Sequence, residues 1–415
     1  MNIAVVLVAL AVFAQPFGAS FELPTLIMAL LGIYDLATNR ERLRQRGSLR
    51  IFSAFFLCFW LPAAISLLDA TYLEKGAKTV ISMWRFYFAG VFVISRLNSA
   101  ENHTQLAKWL AIILLFWVAD AWFQFAVGVD IFGQASADPG RISSVFGEDP
   151  MFGWMMIPFT TVLLWWAQRQ FGLAALYLLV PVLVLSYFIS GNRGAVVSLV
   201  WMVLAGVAML HVWRFRLPKA LMVSSILVCG LAGALVVQND AVQQRIGHSL
   251  KSTEGSFAAW DEASSYRLTL WATSLRMIQD NPINGVGVRG FRYAYPSYAQ
   301  QGDFFLHTDT KRGQPAGAFH AHQIVLEALT DMGLIGLIGL LVAFALLAER
   351  LKAILTARNY LAGAYFIGAV GVLFPLNTGI SIYSSYWGQA VWLLVALLFA
   401  ASFSQALAKP SAADG

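Results

Sequence analysis

Chemistry on a phosphorylated substrate is within reach of a few arginines and one pair of histidines in this sequence. Arg267 opens the run Arg267-Leu268-Thr269-Leu270-Trp271 after Ser264 and Ser265. Apolar positions then recur at helical spacing as far as Asp280-Asn281-Pro282, so the spacing predicts a helix capped by serine, with Arg267 in its first turn. A guanidinium beside the unpaired N–H groups of a helix start suits a phosphate. The plainer alternative is an arginine that snorkels to lipid headgroups. Arg193 stands in Ser190-Gly191-Asn192-Arg193-Gly194 between two apolar runs. Charge at that depth is costly without a partner and marks a functional candidate, with an interfacial anchor as the alternative.

His320-Ala321-His322 precedes a long helical run beginning Gln323-Ile324-Val325. A metal site would need a third ligand, and His307 is the one remote candidate, so no metal is assigned. The other chemistry open to the pair is proton abstraction. A neutral imidazole suits removal of a hydroxyl proton, and nearby arginines would hold it neutral. A histidine resting at the membrane interface competes with both. Gly285-Val286-Gly287-Val288-Arg289-Gly290 fits the dinucleotide fingerprint letter for letter, yet a helix and not a strand precedes it. These glycines are expected to form a tight turn, with Arg289 as an anion contact. The stretch from Arg141 to Gly153 leads polar residues into an apolar run and could line a substrate entrance. Arg85 and Asp120 lie within or near apolar runs and could pair. No two carboxylates have the spacing expected for glycoside hydrolysis.

The elements that position these residues are set by composition. Of 415 residues, 59% are hydrophobic and 12% charged, against about 25% charged in soluble domains. Apolar runs of span length recur near 2–19, 22–38, 51–69, 79–97, 106–128, 150–168, 172–190, 194–212, 220–237, 333–349, 360–380 and 386–404. The expectation is an all-α polytopic membrane protein of about twelve transmembrane helices. Residues 1–237 would hold nine, 238–332 one large loop of amphipathic helices, and 333–415 the last three and a short tail. The first run lacks a basic flank and reads as a retained helix, not a cleaved signal. Cys58 and Cys229, both inside apolar runs, give no disulfide framework.

With the N-terminus inside, the cytoplasmic loops hold fifteen Lys and Arg residues, among them Arg40, Arg46, Arg96, Arg214, Arg350 and Arg358. The short outer loops hold four: Lys75, Lys78, Arg141 and Arg193. Positive charge is retained inside, so the large loop, the 129–149 loop and the Arg193 hairpin face outward. The net charge of +6 is thus a topology signal, and no nucleic-acid partner is expected. Outside the cytoplasmic membrane neither ATP nor nucleotide sugars are at hand. An enzyme there must take a substrate already activated and carried by lipid.

At this point the chain resembles the O-antigen ligases and the wider superfamily of such ligases, related polymerases and bacterial protein O-oligosaccharyltransferases. The family pattern is His, then Asn, Ser or Gln, nine residues, and G-x-x-[GTY]. Here it reads His322-Gln323, Ile324 to Met332, then Gly333-Leu334-Ile335-Gly336. The Arg193 hairpin and the run from Arg267 through Asn281-Pro282-Ile283-Asn284-Gly285 are similar to family signatures, and the Arg141 stretch is a weaker likeness. The resemblance implies a GT-C-like membrane glycosyltransferase of the cell inner membrane, without cofactor. It would move a glycan from undecaprenyl diphosphate to lipid A–core at the periplasmic face. His322 would take the essential-histidine position and Arg193 and Arg267 those of two essential arginines, with Arg141 and Arg289 as further substrate contacts. A polymerase or a protein oligosaccharyltransferase would share these features, and a transporter is the non-enzyme alternative. Transporters usually carry midplane charges on broken helices, whereas the polar groups here gather in an outer loop.

Overall fold

In a computed structural model the structure describes residues 2–136, 140–215, 255–307, 317–376 and 379–404, with scattered positions between 218 and 243 and residue 407. Most of the ninth expected span (220–237), the loop residues up to 254, Cys229 and the side chain of His307 lie outside the described residues. Among the described residues the regular structure is helical, with no strand. The helices, numbered among the described residues, begin with α1 (Ile3–Phe13), α2 (Glu22–Thr38), α3 (Arg40–Arg44), α4 (Gly47–Ile65), α5 (Leu73–Arg96) and α6 (Ala100–Val127). Next come α7 (Phe152–Met156), α8 (Thr160–Phe171), α9 (Ala174–Ile189) and α10 (Arg193–Val212). The large loop supplies α11 (Phe257–Ala263), α12 (Arg267–Asp280), α13 (Phe291–Tyr298) and α14 (Phe304–His307). The chain closes with α15 (Ile324–Ala357), α16 (Tyr360–Leu373) and α17 (Ser385–Ser402).

Seven of the described helical segments, those holding α2, α4, α5, α6, α10, α15 and α17, are long and apolar enough to cross a membrane. Helices α1, α9 and α16 are apolar but shorter. This is a helical polytopic membrane protein, and several expected spans have different bounds. The run 2–19 is helical only to Phe13, because Pro16 cannot continue a helix and disfavours helical backbone at the residue before it. The run 150–168 is cut into α7 and α8. There Ile157 and Phe159 bond back only three residues, to Trp154 and Met156, around Pro158, which has no N–H to give. The run 360–380 ends as helix at Leu373.

Helix α15 starts nine residues before the expected span at 333, and Gly333 breaks its course with φ 59° and ψ −151°. Its first part, Ile324–Met332, belongs to the loop, and the part after the kink crosses the bundle. Glycine is required at the kink: a Cβ on Gly333 would lie 2.3 Å from the backbone of Ile283. The turn 281–287 docks there, with Leu334 N–H donating to the Pro282 carbonyl at 2.8 Å and Val286 N–H to that of Thr330 at 2.8 Å. Gly285, at φ 69°, lets the turn close against the backbone of Asp331 and Met332. The fingerprint-like glycines therefore make a tight turn.

The bundle is ordered around α17, whose apolar window is 83% buried, against α4, α5 and α16. A second, small core of Leu270, Met277, Val286, Phe291, Tyr295 and Ala321 holds the loop helices together. The loop is tied to one end of the bundle. Thr71 N–H donates to Val286 O at 2.9 Å, Val288 N–H to Ser66 Oγ at 3.0 Å, and the rings of Tyr72 and Tyr293 stack at 4.1 Å. The basic helix junctions gather at the opposite end, where Arg46 donates to Ile94 O at 2.9 Å and Arg96 pairs with Asp35. Arg85 and Asp120 do not meet: Arg85 makes a two-pronged pair with Glu22, both bonds 2.9 Å.

Candidate active site

Four elements bring the singled-out residues to one place. The first is the stretch after α6. Gln124 Oε1 accepts from the N–H groups of Ser143 (2.9 Å) and Ser144 (2.7 Å), and Asp120 accepts from Ile131 N–H and the Ser144 hydroxyl, both at 2.8 Å. Both acceptors lie one turn apart on the buried face of α6, so a helix fixes the loop that carries Arg141. Asp120 is thus a loop anchor. The second element is the hairpin between α9 and α10. Asn192, which caps α10, donates through Nδ2 to the Pro150 carbonyl at 2.7 Å and ties the Arg193 hairpin to the Arg141 stretch. Arg193 is the first residue of α10 and donates to the carbonyl of Ala263 at the end of α11.

The third element is α12, which begins at Arg267 as expected, with a different cap. Tyr266 occupies the cap in left-handed backbone (φ 59°). Ser264 Oγ accepts from Arg267 N–H at 3.2 Å, and Asp261 accepts from Thr269 N–H at 3.0 Å and from its hydroxyl. A protein carboxylate and a hydroxyl occupy donors of this first turn, so it offers a ligand less than an open helix terminus would. What remains available is the guanidinium. The fourth element is the His322 segment. The Trp271 indole N–H donates to the Ala321 carbonyl at 3.1 Å, so α12 holds this segment directly. Gln323 caps α15, its Oε1 accepting from Leu326 N–H at 2.6 Å while its amide donates to the Pro375 carbonyl. Gln323 thus serves this chain as the side-chain cap of α15.

These elements enclose a cavity of about 300 Å³ lined by Arg141, Arg193, Arg267 and His322, with Asn192, Ser265, Phe305 and Ile380 among the other wall residues. Arg289 is not on that wall. Its backbone N–H donates to Asp331 Oδ2 at 2.9 Å, and its charge lies near His320. Burial first, then the neighbouring Arg193, draw Arg267 below its ordinary pKa; a guanidinium remains charged throughout. Burial, and then Arg267, pull His322 down to about 4, so its imidazole is neutral near pH 7. Its ring is hydrogen-bonded to the backbone of Gly379, and because that bond favours the protonated ring, the ring N–H donates and the Gly379 carbonyl accepts. That assigns the proton to one ring nitrogen and leaves the other free to accept. His322 has left-handed backbone (φ 52°), and its own N–H donates to His320 Nδ1 at 3.1 Å. His320 therefore carries its proton on Nε2. Burial, His322, Arg289 and Arg267, in that order, hold it neutral as well.

Among the described residues no three His, Cys, Asp or Glu side chains converge as metal ligands would. Three guanidinium groups and one neutral imidazole on a single wall can bind a doubly or triply charged anion and take a proton beside it. Residue types and spacing point to Arg141, Arg193, Arg267 and His322, which the structure brings together, and to Arg289, which it does not place on that wall. They do not point to Asp261, Trp271 or Gln124, which act through contacts distant in sequence, although Trp271 sits in the same quoted run as Arg267. A comparison with curated proteins finds no match. A family model described as O-antigen ligase matches residues 176–341, which include Arg193, Arg267 and His322. Over that region the chain is similar to the O-antigen ligase family.

Proposed function

We propose that this protein is an O-antigen ligase of the cell inner membrane, with a GT-C-like arrangement of twelve spans and its active site facing the periplasm. It transfers a glycan from undecaprenyl diphosphate to lipid A–core. The observation that carries the reading is the shared wall of Arg141, Arg193, Arg267 and His322 around one cavity. The sidedness rests on the excess of Lys and Arg at the opposite end of the bundle.

In this reading the arginines hold the diphosphate. His322 takes the proton from an acceptor sugar hydroxyl as that oxygen bonds to the anomeric carbon and the bond to the phosphate oxygen breaks. Attack opposite the leaving group inverts the anomeric centre. The negative charge arriving on the diphosphate meets the guanidinium groups, electrostatic stabilisation aimed at a leaving group. Diphosphate departs readily without a proton, so no general acid is required and no metal or cofactor takes part. The neutral state of His322 suits it to accept, and the bound diphosphate would raise its affinity for the proton in the complex.

The test is transfer by the purified protein from a lipid-diphosphate glycan, with lipid A–core, a second lipid-linked repeat or a pilin-like protein as acceptor. Glycan on lipid A–core alone is expected. Transfer only to the lipid-linked repeat would make the protein a polymerase, and transfer only to protein an oligosaccharyltransferase. Positioned general bases contribute about 10²–10⁴-fold, so His322→Ala is expected to lose nearly all transfer while remaining folded and inserted. Undiminished transfer by that variant would remove His322 from the mechanism.

A further inference from the structure

Behind the cavity wall lies a buried carboxylate that the chemistry above does not use. Glu327 sits in the first turn of α15, five residues after His322, and is 4% exposed. Its Oε1 has no hydrogen-bond partner, although the Ser381 hydroxyl approaches the carboxylate. An unsatisfied carboxylate oxygen in a dry interior is costly, so a polar occupant is to be sought. The space for one is present. Glu327 lines a second cavity of about 20 Å³, together with Gln323, Gly379 and Ile380. That volume suits a single water, which needs roughly 10–15 Å³ by this measure.

The second cavity adjoins the first. Ile380 is on the wall of both. Gly379, whose backbone is bonded to the His322 ring, lines the small one, and Gln323 is the residue next to His322. One ring nitrogen of His322 therefore serves the substrate cavity and the other is directed to the wall of the small cavity. The charged and titratable groups around Glu327 are Arg289 from the turn after α12, Asp331 one turn along α15, and Tyr383 before α17. Asp331 is 1% exposed and also has an unpartnered oxygen, Oδ1. Among the described residues, Arg289 is the one cation near both carboxylates.

We propose that Glu327 receives the acceptor proton from His322 through a water held in the small cavity. The inference rests on the His322 mechanism proposed above. The acceptor hydroxyl gives its proton to the free ring nitrogen as the glycosidic bond forms and the anomeric carbon–phosphate oxygen bond breaks. The proton on the other ring nitrogen leaves the Gly379 carbonyl for the water in the cavity that Gly379 lines, and the water gives one of its own to the Glu327 carboxylate. The imidazole ends neutral, the water is regenerated and Glu327 ends protonated, to be discharged when the products leave. The need for such a sink follows from the surroundings of His322. A buried imidazole facing arginines holds a proton poorly, and a carboxylate on its far side removes that proton without a path through the substrate.

Glu327 acts through His322 and is a positioning residue for the proton. The test uses the purified full chain with a lipid-diphosphate glycan and lipid acceptor. Glu327→Gln is expected to lower kcat by about 10²-fold, the lower end of general-base effects, while KM for the donor is unchanged. Its remaining turnover should rise with the concentration of a small buffer base, to which wild type is indifferent. Formate should restore Glu327→Ala by re-supplying a carboxylate. Wild-type kcat in Glu327→Gln, or a loss that neither formate nor buffer changes, overturns the relay. Val372→Phe crowds the small cavity from a wall residue that the substrate cavity lacks, and an unchanged kcat there overturns it even if the Glu327 variants do not fold. His322→Ala is run beside them. If it keeps full transfer, the parent mechanism has failed; if it is inactive while Glu327→Gln behaves as wild type, only the relay has.

Discussion

Replacing Arg267 by Gln removes one guanidinium from a wall that also carries Arg141 and Arg193, and it should change two measurable quantities at once. The first is rate. Loss of one pre-set donor to a developing anion costs about 10²–10³-fold in kcat, and Arg267 combines that donation with a full charge in a half-buried position. The second is the protonation of His322, which burial and then Arg267 pull down to about 4. A cavity of about 300 Å³ is roughly 8 Å across, and a unit charge at that distance acts with about 2 kcal/mol at an effective dielectric near 20. The sign follows directly. A nearby cation disfavours the imidazolium, so its removal raises the His322 pKa and moves the acid limb of kcat/KM to higher pH, by about 1.5 units. The limb should stop short of 6.5, because burial is the larger cause and is unchanged. Arg267→Lys is the control. It keeps the charge, hence the limb, and loses the two-pronged fork, hence part of the rate. The assay is glycan transfer by purified protein between pH 4 and 8. A Gln variant whose acid limb stays in place or moves to lower pH would show that Arg267 does not face His322. Unchanged kcat would show that it does not hold the leaving group.

The remaining predictions concern the elements behind the site. Gln323→Ala removes the cap of α15 and should cost about 1 kcal/mol in stability, read as a lowered melting temperature. Gln323→Asn retains a capping side chain and should melt closer to wild type. Gly333→Ala forces left-handed backbone on a residue whose Cβ would lie 2.3 Å from the Ile283 backbone; a loss above about 2 kcal/mol is expected, seen as failure to recover folded protein from detergent. Transfer should survive EDTA at full rate, and activity restored only by an added divalent cation would refute the metal-independent mechanism.

Much of the candidate site was legible in the sequence because its residues are of types that are costly or conformationally special where they stand. Arg193 between two apolar runs, Arg267 after a pair of serines, and a histidine before a capping Gln each announce themselves locally. The exact span bounds were less legible, because hydropathy averages over a window and does not see where Pro16, Pro158 or Gly333 interrupts a helix. Arg85 illustrates the limit. Its need for an anion was readable, but Glu22, and not Asp120, supplies it across two packed helices.

By itself the sequence determined that the chain is helical and membrane-embedded, that a polar loop sits at one end, and which arginines and histidine could do chemistry. These follow from composition, periodicity and side-chain type, which are properties of single residues and short windows. Only the tertiary structure decided that Arg141, Arg193, Arg267 and His322 share one cavity while Arg289 stands off its wall, its backbone N–H bonded to Asp331. It also decided that Asp261 occupies the Thr269 donors in the first turn of α12, and that Glu327 lies behind His322 in an adjoining cavity. The physical reason is that pKa, hydrogen-bond partner and cavity wall depend on which segments pack together across as many as 181 residues, the separation of Arg141 and His322. The large loop carries part of the site, and the membrane bundle holds the rest in register with it.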